Sequence, residues 1–504
     1  MAFETKNFNV ANKLVLEKSE FNVECNVLLG DNVSKILVAS IDANVNGYET
    51  LNGVLNYSGT IDTKIVFLNE NGELNTACSS CPFSSKFLNE DIVTGQNAFV
   101  SVKVVDYSIE SLNGDNARIS VMLMQSGFIL ANKEIHTIEN TDENVCCKYD
   151  EIDVVKFLGS TQETFEVGCE TVVREKVKKI VLTQSNVLVK NVEAGVNFVT
   201  IGGDVITRVI YLNENDKFED GYMYDSFKEE VEIEGVNRDN YVEGVAFVKQ
   251  EDVAAELVTD EKGDKIVVKV PVCVNVFAYG QERLQVIKDL YSIKNEINTT
   301  VQSFEMAKAE PLEVIEGKIE GALTLGEEQP RVDKILFYGG NYVTITNNYI
   351  NDGEVFVEGI ARVNVVYLND EDNSWHSVQL DTPFTISEKT DIKQGAVLSV
   401  NATVTDVDVS VKKGRELLYE AKIKASINYT TTDVSAVICE AAEKEEYEPK
   451  DYAMEVVFAK AGQEIWDIAK EMKVKEEQIV VQNPNIMFPL EEDTSLILFY
   501  QKSN

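Results

Sequence analysis

The side chains best suited to metal binding or redox chemistry are few and scattered. Among the eight cysteines, Cys78–Cys81 has CxxC spacing and Cys146–Cys147 is an adjacent pair, and the only histidines are His136 and His376. A structural zinc site needs four ligands, and no second CxxC is present to complete one. We therefore expect no metal and no cofactor. Structural thiols are the favoured interpretation, and late oxidative cross-linking within an assembly is an alternative.

Residues for catalysis are equally sparse. Two histidines leave little for general acid–base work. His376 follows Asn373–Trp375, has no counterpart in the two related segments described below, and is expected to be a surface residue. The sequence contains no GxGxxG, Walker or GxSxG motif. Carboxylates could supply the paired acids of a glycan hydrolase, but a repeated domain would need that site in every copy or in one alone. We expect a non-enzymatic protein with no catalytic residues.

The charge of the chain disfavours two classes of partner. Lys and Arg number 46 against 85 Asp and Glu, which gives a net charge of −39. Such a surface opposes binding to nucleic acid and to anionic membranes; it suits basic partners, and solubility alone is an equal alternative. The start Met1–Lys6 does not resemble a signal peptide, and no run of about 18 apolar residues could span a membrane. We expect a cytosolic protein.

The elements that surround these residues repeat three times. Residues 65–71, 209–215 and 365–371 each form an apolar run that ends in an aromatic residue, Leu-Asn and an acidic turn. Four landmarks recur with slips of one residue at most, in the order Lys, Gly, Leu, Phe: Lys35, Gly59, Leu68, Phe83; Lys179, Gly203, Leu212, Phe227; Lys334, Gly359, Leu368, Phe384. The spacing of roughly 150 residues is that of a domain, so we predict three domains with their own cores rather than a solenoid.

The pattern within each copy is that of β-structure. Apolar and polar residues alternate in the runs 98–106, 265–277 and 396–409, which predicts strands with one buried face. Asn-Gly, Asp-Gly and Lys-Gly steps separate such runs. We predict a mainly β chain with three tandem antiparallel β-sandwich domains at residues 1–140, 160–285 and 304–440. The polar passages Tyr149–Gln162, Glu282–Ser303 and Glu440–Asp451 are expected to link the domains.

The pattern changes after Tyr452. A short strand at 455–458 precedes apolar residues at positions 465, 468, 469 and 472, which share one face of a helix. Residues 474–481 suit a second helix and residues 496–500 a closing strand. We predict a small strand–helix–helix–strand (βααβ) domain at residues 452–500.

This C-terminal segment resembles a LysM domain. The matching residues are Gly462, Ile465, Trp466, Ile468, Ala469, Val474, Ile479, Asn483 and Leu490. The resemblance implies binding of N-acetylglucosamine glycans such as peptidoglycan through two loops, and the candidate partner- or glycan-binding residues are Gly462, Gln463, Glu464, Ile465, Asn483, Pro484 and Asn485. Acidic residues replace the family pattern in both loops, so a protein partner is the favoured interpretation. Trp466 is expected in the core of the helix rather than on a ligand.

The whole layout resembles the SipL-like family of spore coat morphogenetic proteins. The strand ends Phe67–Asn69, Tyr211–Asn213 and Tyr367–Asn369 match those of the family's SPOCS repeat. The resemblance implies a scaffold that links a SpoIVA-like morphogenetic ATPase of the basement layer to other coat proteins through the LysM domain. It also implies a protein made in the mother-cell cytoplasm and deposited on the forespore surface, with cortex peptidoglycan as the alternative partner.

Overall fold

Antiparallel strands build most of the protein in the computed structural model, which describes residues 3–112, 114–173, 175–260, 263–448, 450 and 452–500. Strands account for 76% and helices for 4%, so the prediction of a mainly β chain is confirmed. No helix in these described ranges has the length and apolar character needed to cross a membrane.

Three stretches of chain, called units 1, 2 and 3, carry nearly all of the strands. Unit 1 comprises β1 (Glu4–Leu28), β2 (Val33–Leu51), β3 (Val54–Asn69), β4 (Leu74–Leu88), β5 (Asn97–Ser111) and β6 (Asn116–Asn140). Unit 2 comprises β7 (Val145–Val172), β8 (Val177–Ala194), β9 (Phe198–Asn213), β10 (Phe218–Glu232), β11 (Tyr241–Val248), β12 (Ala254–Asp260) and β13 (Gly263–Ser292). Unit 3 comprises β14 (Asn295–Ala309), β15 (Glu313–Thr324), β16 (Val332–Asn351), β17 (Glu354–Asn369), β18 (Trp375–Lys389), β19 (Val397–Lys412) and β20 (Glu416–Glu446).

Each unit contains two antiparallel sheets around one apolar core. In unit 1 the sheet orders are β1-β6-β5 and β2-β3-β4, and the shared core includes Leu55, Ile61, Ile65, Ile119 and Leu123, all with no accessible surface. Units 2 and 3 have the same arrangement with one strand interrupted. The pair β11 and β12 takes the place of β5, and the pair β14 and β15 takes the place of β1.

The glycine and phenylalanine landmarks face each other across a strand pair. The three pairs are Gly59–Phe83, Gly203–Phe227 and Gly359–Phe384. A Cβ on Gly59 would lie 2.1 Å from the carbonyl oxygen of Asn44 and 2.5 Å from the Phe83 ring. The corresponding distances to a backbone oxygen are 2.2 Å at Gly203 and 2.4 Å at Gly359. Glycine recurs here because the opposite ring and the neighbouring strand fill the space of a side chain.

The lysine and leucine landmarks also pair across strands. The pairs are Lys35–Leu68, Lys179–Leu212 and Lys334–Leu368, and a register shift precedes each lysine. Unit 3 has one more residue between Lys and Gly than the other units. The extra residue forms a bulge between Gly339 and Tyr342, where Gly340 takes a positive φ of 63°. A bulge accommodates an insertion without changing which side chains face the core.

The asparagine after each motif leucine organises the turn that follows. Asn69 is 1% exposed, and its Oδ1 accepts hydrogen bonds from the backbone N–H groups of Asn71 (3.0 Å) and Glu73 (2.8 Å). Asn213 accepts from the matching positions in unit 2. The side chain thus stands in for a backbone carbonyl in the turn.

Three long ribbons extend from the units and pack together. They are formed by β1 with β6, β7 with β13 and β14 with β20. Apolar side chains from all three ribbons meet in shared clusters that include Val10, Val154, Val286, Phe304 and Val437. The ribbons therefore join the units through cores that belong to no single unit.

The passages predicted to be polar links are largely strand. Tyr149–Gln162 lies within β7, Glu282–Ser303 is shared by β13 and β14, and the third passage belongs to β20 as far as Glu446; its residues 449 and 451 lie outside the described residues. One face of each ribbon is exposed and carries the polar residues, while alternate side chains pack inward. Polar composition alone therefore does not mark a link here.

Contacts between the units close them into a ring. The bonds from each unit to the next are Lys64 Nζ to Thr183 O (3.5 Å), Arg208 Nη1 to Tyr338 O (3.0 Å) and Arg362 Nη1 to Asp106 Oδ1 (2.8 Å). The last of these joins unit 3 back to unit 1. Each unit has its own core, and the units are packed together rather than separate along the chain.

Candidate partner-binding site

The C-terminal module holds the predicted binding residues. It comprises β21 (Met454–Ala459), α1 (Ile465–Met472), α2 (Glu476–Gln482) and β22 (Thr494–Phe499), with β21 antiparallel to β22. The apolar spacing in α1 buries Trp466, Ile468 and Ala469 against the sheet. Helix α1 ends at Lys473, which has a left-handed conformation (φ 60°). Trp466 is 6% exposed and lies in the module core.

The two predicted loops lie side by side. The backbone N–H of Gly462 donates to Leu490 O (2.7 Å), and the N–H of Leu490 donates to Gln463 O (3.1 Å). Gly462 takes a positive φ of 86° in the turn before α1. The structure therefore brings the first loop against the end of the second.

The predicted residues differ in what they offer to a partner. Asn483 is 9% exposed, and its amide joins α2 to β22 by donating to the carbonyl oxygens of Ile479 and Ile497 (3.0 Å each). Its side chain therefore serves the fold. Gly462, Glu464, Pro484 and Asn485 are exposed, and Gln463 and Ile465 are half-buried.

The module docks on the end of the ribbon of unit 2. Trp466 Nε1 donates to Asp289 Oδ2 (2.9 Å), and Lys470 Nζ lies 2.6 and 2.7 Å from the two carboxylate oxygens of Asp289. Tyr291 packs edge-on against Trp466 with ring centroids 5.0 Å apart, and its hydroxyl donates to Val474 O (2.7 Å). Burial alone would raise the pKa of Asp289, but the hydrogen bonds from Lys470 and Trp466 lower it below its usual value.

Glu464 also faces unit 2. Its carboxylate lies 2.5 Å from Lys148 Nζ, and this hydrogen bond lowers the pKa of Glu464. Both side chains are partly exposed, at 38% for Lys148 and 56% for Glu464, so the pair adds little stability. The ion pair nonetheless means that Glu464, a predicted binding residue, already has a partner within the protein. Sequence reasoning missed this docking because Asp289 and Tyr291 lie in the passage Glu282–Ser303, which it treats as a link.

The sheet of the module has an apolar outer face. The register sets Met454 opposite Phe499 and Val456 opposite Ile497, so their side chains point to the same side. With Phe458 they form the outer face, with exposures of 52% (Met454), 53% (Phe499), 43% (Val456), 40% (Ile497) and 82% (Phe458). The helices cover only the inner face. Apolar residues on both faces of one strand pair are the sequence signal that could have revealed this surface.

Most of the candidate metal-binding and redox residues lie outside the module, but Cys146 packs against the cluster that contains Tyr291 and Trp466. Among the described residues, no group of three His, Cys, Asp or Glu side chains is arranged to hold a metal ion. His376, expected at the surface, is instead half-buried where units 1 and 3 meet, 3.0 Å from Lys35 Nζ and stacked on Tyr367. Burial and the neighbouring Lys35 ammonium lower the pKa of His376.

Comparison with known proteins bears on unit 3. Residues 331–440 match the family model described as SipL, SPOCS domain. The matched range starts just before β16 and ends within β20, so it covers both landmark hairpins of the unit. No curated protein and no solved structure matches the chain. Unit 3 therefore contains a segment that is similar to the SPOCS domain of SipL.

Proposed function

We propose that this protein is a non-enzymatic scaffold for assembly of the spore coat, which links a SpoIVA-like ATPase to other coat proteins. The observation that carries the proposal is the match of residues 331–440 to the SPOCS domain of SipL. Units 1 and 2 share the landmark pairs and sheet order of unit 3, which supports three SPOCS-type units and a sandwich-like build for each. The site of action is the forespore surface, reached from the mother-cell cytoplasm.

The ring of units suits a rigid platform. Shared cores and bonds from unit 3 to unit 1 hold the three units in a fixed arrangement. A rigid platform presents several surfaces at fixed spacing, so weak contacts on one chain can act together. The net charge of −39 favours partners with basic surfaces.

The LysM-like module supplies the partner contact in this proposal. Its helix side is docked on unit 2 through Trp466 and Tyr291, while the outer sheet face of Met454, Phe458 and Phe499 is exposed. Exposed apolar patches of this kind are typical of protein interfaces. The surface favours a protein over a neutral sugar because it is apolar and is formed by strand residues rather than by the two polar loops.

A pull-down experiment tests the partner and the surface together. Tagged protein from sporulating cells is expected to recover the morphogenetic ATPase. Phe458→Glu places a charge on the most exposed of the five apolar residues of the outer sheet face and is expected to abolish recovery and forespore localisation. Leu88→Glu is the matched control, because Leu88 is 68% exposed in unit 1 and remote from the module. Normal localisation of the Phe458→Glu protein would contradict the proposed contact.

Peptidoglycan binding remains the alternative for the same module. The exposed residues Gly462, Pro484 and Asn485 in the adjoining loops are its structural support. It predicts that insoluble peptidoglycan retains the protein, that chitin oligomers release it, and that Asn485→Ala weakens binding while Phe458→Glu does not. The two variants therefore separate a protein partner from a glycan.

A further inference from the structure

A cavity lies where the three units meet. Its volume is about 250 Å³, and its walls come from β1, β2, β5 and β6 of unit 1, from unit 2 and from β16 and β19 of unit 3. Val15 and Tyr48, which are 49% and 43% exposed, stand at its rim with Lys18. We call this space the axial cavity. Its size is near that of pockets for small organic molecules.

The walls of the axial cavity differ in charge from the rest of the protein. The chain has 85 acidic and 46 basic residues, yet among the described residues the lining contains Lys13, Lys18 and Lys103 and no Asp or Glu. Lys13 is already paired with Glu243 at 2.9 Å, and Lys18 is exposed at the rim. Lys103 is therefore the cation that faces the interior of the cavity.

The Lys103 ammonium lacks a close counter-charge. Protein surrounds this side chain, yet much of its surface is accessible because it faces the cavity. Within the described part of the chain it forms no ion pair, and its hydrogen bond is a long one of 3.5 Å to Asn401 Oδ1. Asp42 lines the adjoining part of the cavity, but not within 4.0 Å of Lys103 Nζ. Burial lowers the pKa of Lys103, and the attraction of Asp42 opposes this shift.

The remaining wall is mostly apolar. Val45, Phe99, Phe247, Ile345, Leu398 and Val400 present half-buried side chains to the same space. A cation without a close counter-charge on the wall of a largely apolar cavity is stabilised by a ligand that brings an anion to it. The same ligand gains from placing an apolar body against the other walls.

We propose that the axial cavity binds a small amphipathic carboxylate. The carboxylate accepts hydrogen bonds from Lys103 Nζ and from the amide nitrogen of Asn401, and the hydrocarbon body packs on Phe99, Phe247 and Leu398. Because the walls come from all three units, such a ligand would also hold the ring closed. The site is distinct from the module surface and does not depend on the proposed scaffold role.

Calorimetric titration of the full-length protein tests the proposal, with octanoate as the probe. Octanoate is expected to bind, and octylammonium and octanol, which share its tail, are expected to bind at least tenfold more weakly. Lys103→Met removes the cation and keeps most of the apolar stem, so it is expected to weaken octanoate binding by about ten- to a hundredfold, the loss typical of a charge-assisted hydrogen bond. Lys393→Met is the matched control, because Lys393 is exposed in a loop of unit 3 and does not line the cavity.

A second variant separates loss of the site from loss of the fold. Ala402→Phe fills the cavity from β19 and is expected to abolish binding of octanoate with the circular dichroism spectrum unchanged. Equal affinity for octanoate and octylammonium, an unchanged affinity in Lys103→Met, or no heat of binding by the wild-type protein would each overturn the proposal.

Discussion

Gly359→Ala probes the landmark pairs most directly. A Cβ at this position would lie 2.4 Å from the carbonyl oxygen of Thr344 and 2.8 Å from the Phe384 ring. The phenyl ring can move, but Thr344 belongs to the paired strand β16 and cannot shift without breaking the hydrogen bonds of its sheet. Overpacking typically costs 1–3 kcal/mol, so we expect a loss of about 3 kcal/mol in the free energy of unfolding of unit 3.

The matched control is Gly168→Ala. Gly168 lies in β7 with ordinary backbone geometry, and no heavy atom lies within 4 Å of a Cβ built there. Alanine is expected to be neutral or to stabilise by roughly 0.4–1 kcal/mol, because it restricts the unfolded chain. The contrast between two Gly→Ala changes in strands isolates steric fit from backbone propensity.

Scanning calorimetry and hydrogen exchange measure the effect. For a unit of this size, about 3 kcal/mol lowers the melting temperature by roughly 6–12 °C. Three packed units need not unfold in one step, so exchange in peptides from β17 and β18 locates the loss. A melting temperature for Gly359→Ala within about 2 °C of wild type, with unchanged exchange in these peptides, would refute the steric reasoning.

The remaining predictions concern the docked module, the thiols and the cavity. Tyr291→Ala removes the ring and hydroxyl contacts with the module, so trypsin is expected to release the module faster, as followed by mass spectrometry. Iodoacetamide is expected to label exposed Cys78 well before Cys25, whose pKa burial raises to about 12; equal labelling would contradict this. Burial raises the pKa of Asp42 to about 6, opposed by Lys103. Ionisation of Asp42 therefore costs stability as the pH rises from about 4 through 6, and Asp42→Asn is expected to be more stable at pH 7 by up to about 3 kcal/mol, with no gain near pH 4 in chemical denaturation.

The landmark residues could be found from the sequence because their requirements are local. Gly59 and Phe83 meet across one hairpin, and Asn69 caps a turn of a few residues. Such requirements recur wherever the hairpin recurs, so they leave a visible pattern. The sequence could not show the contacts that Lys35 and Lys179 make with other units. Their ammonium groups donate hydrogen bonds to backbone carbonyl oxygens, in unit 3 for Lys35 and in unit 1 for Lys179. Because every residue type has a backbone carbonyl, the sequence gives no sign of such an acceptor.

The long ribbons were missed for a related reason. Ribbon residues such as Val286 and Tyr291 are buried only because another ribbon or the module covers them. When distant parts of the chain cover the apolar face of a strand, no turn or repeat near that strand in the sequence indicates the burial. Polar residues on its exposed face then dominate the composition, and the passage resembles a link.

The candidate site was only partly predictable. Helical spacing placed Ile468, Ala469 and Met472 on the buried face of α1, and the LysM resemblance set the two loops that the structure brings together. The inward role of Asn483 depends on the position of β22, which lies beyond a loop. The outer sheet face and the docking on Asp289 depend on tertiary packing, so no local pattern reports them.

Because the three units belong to one chain, equivalent positions around the axial cavity can carry different side chains. By strand register, the counterparts of Lys103 are Phe247 and Thr403, and Asp42 corresponds to Asn186 and Tyr342. In a ring of three identical chains, each chain would place one such ammonium group at the central cavity. Repulsion among the three ammonium groups would favour an open or solvent-filled centre. A single chain can keep one cation and line the remaining positions with neutral side chains. The cavity then has a cation at only one of these three equivalent positions and therefore a direction, which a symmetric assembly could not give to a small ligand.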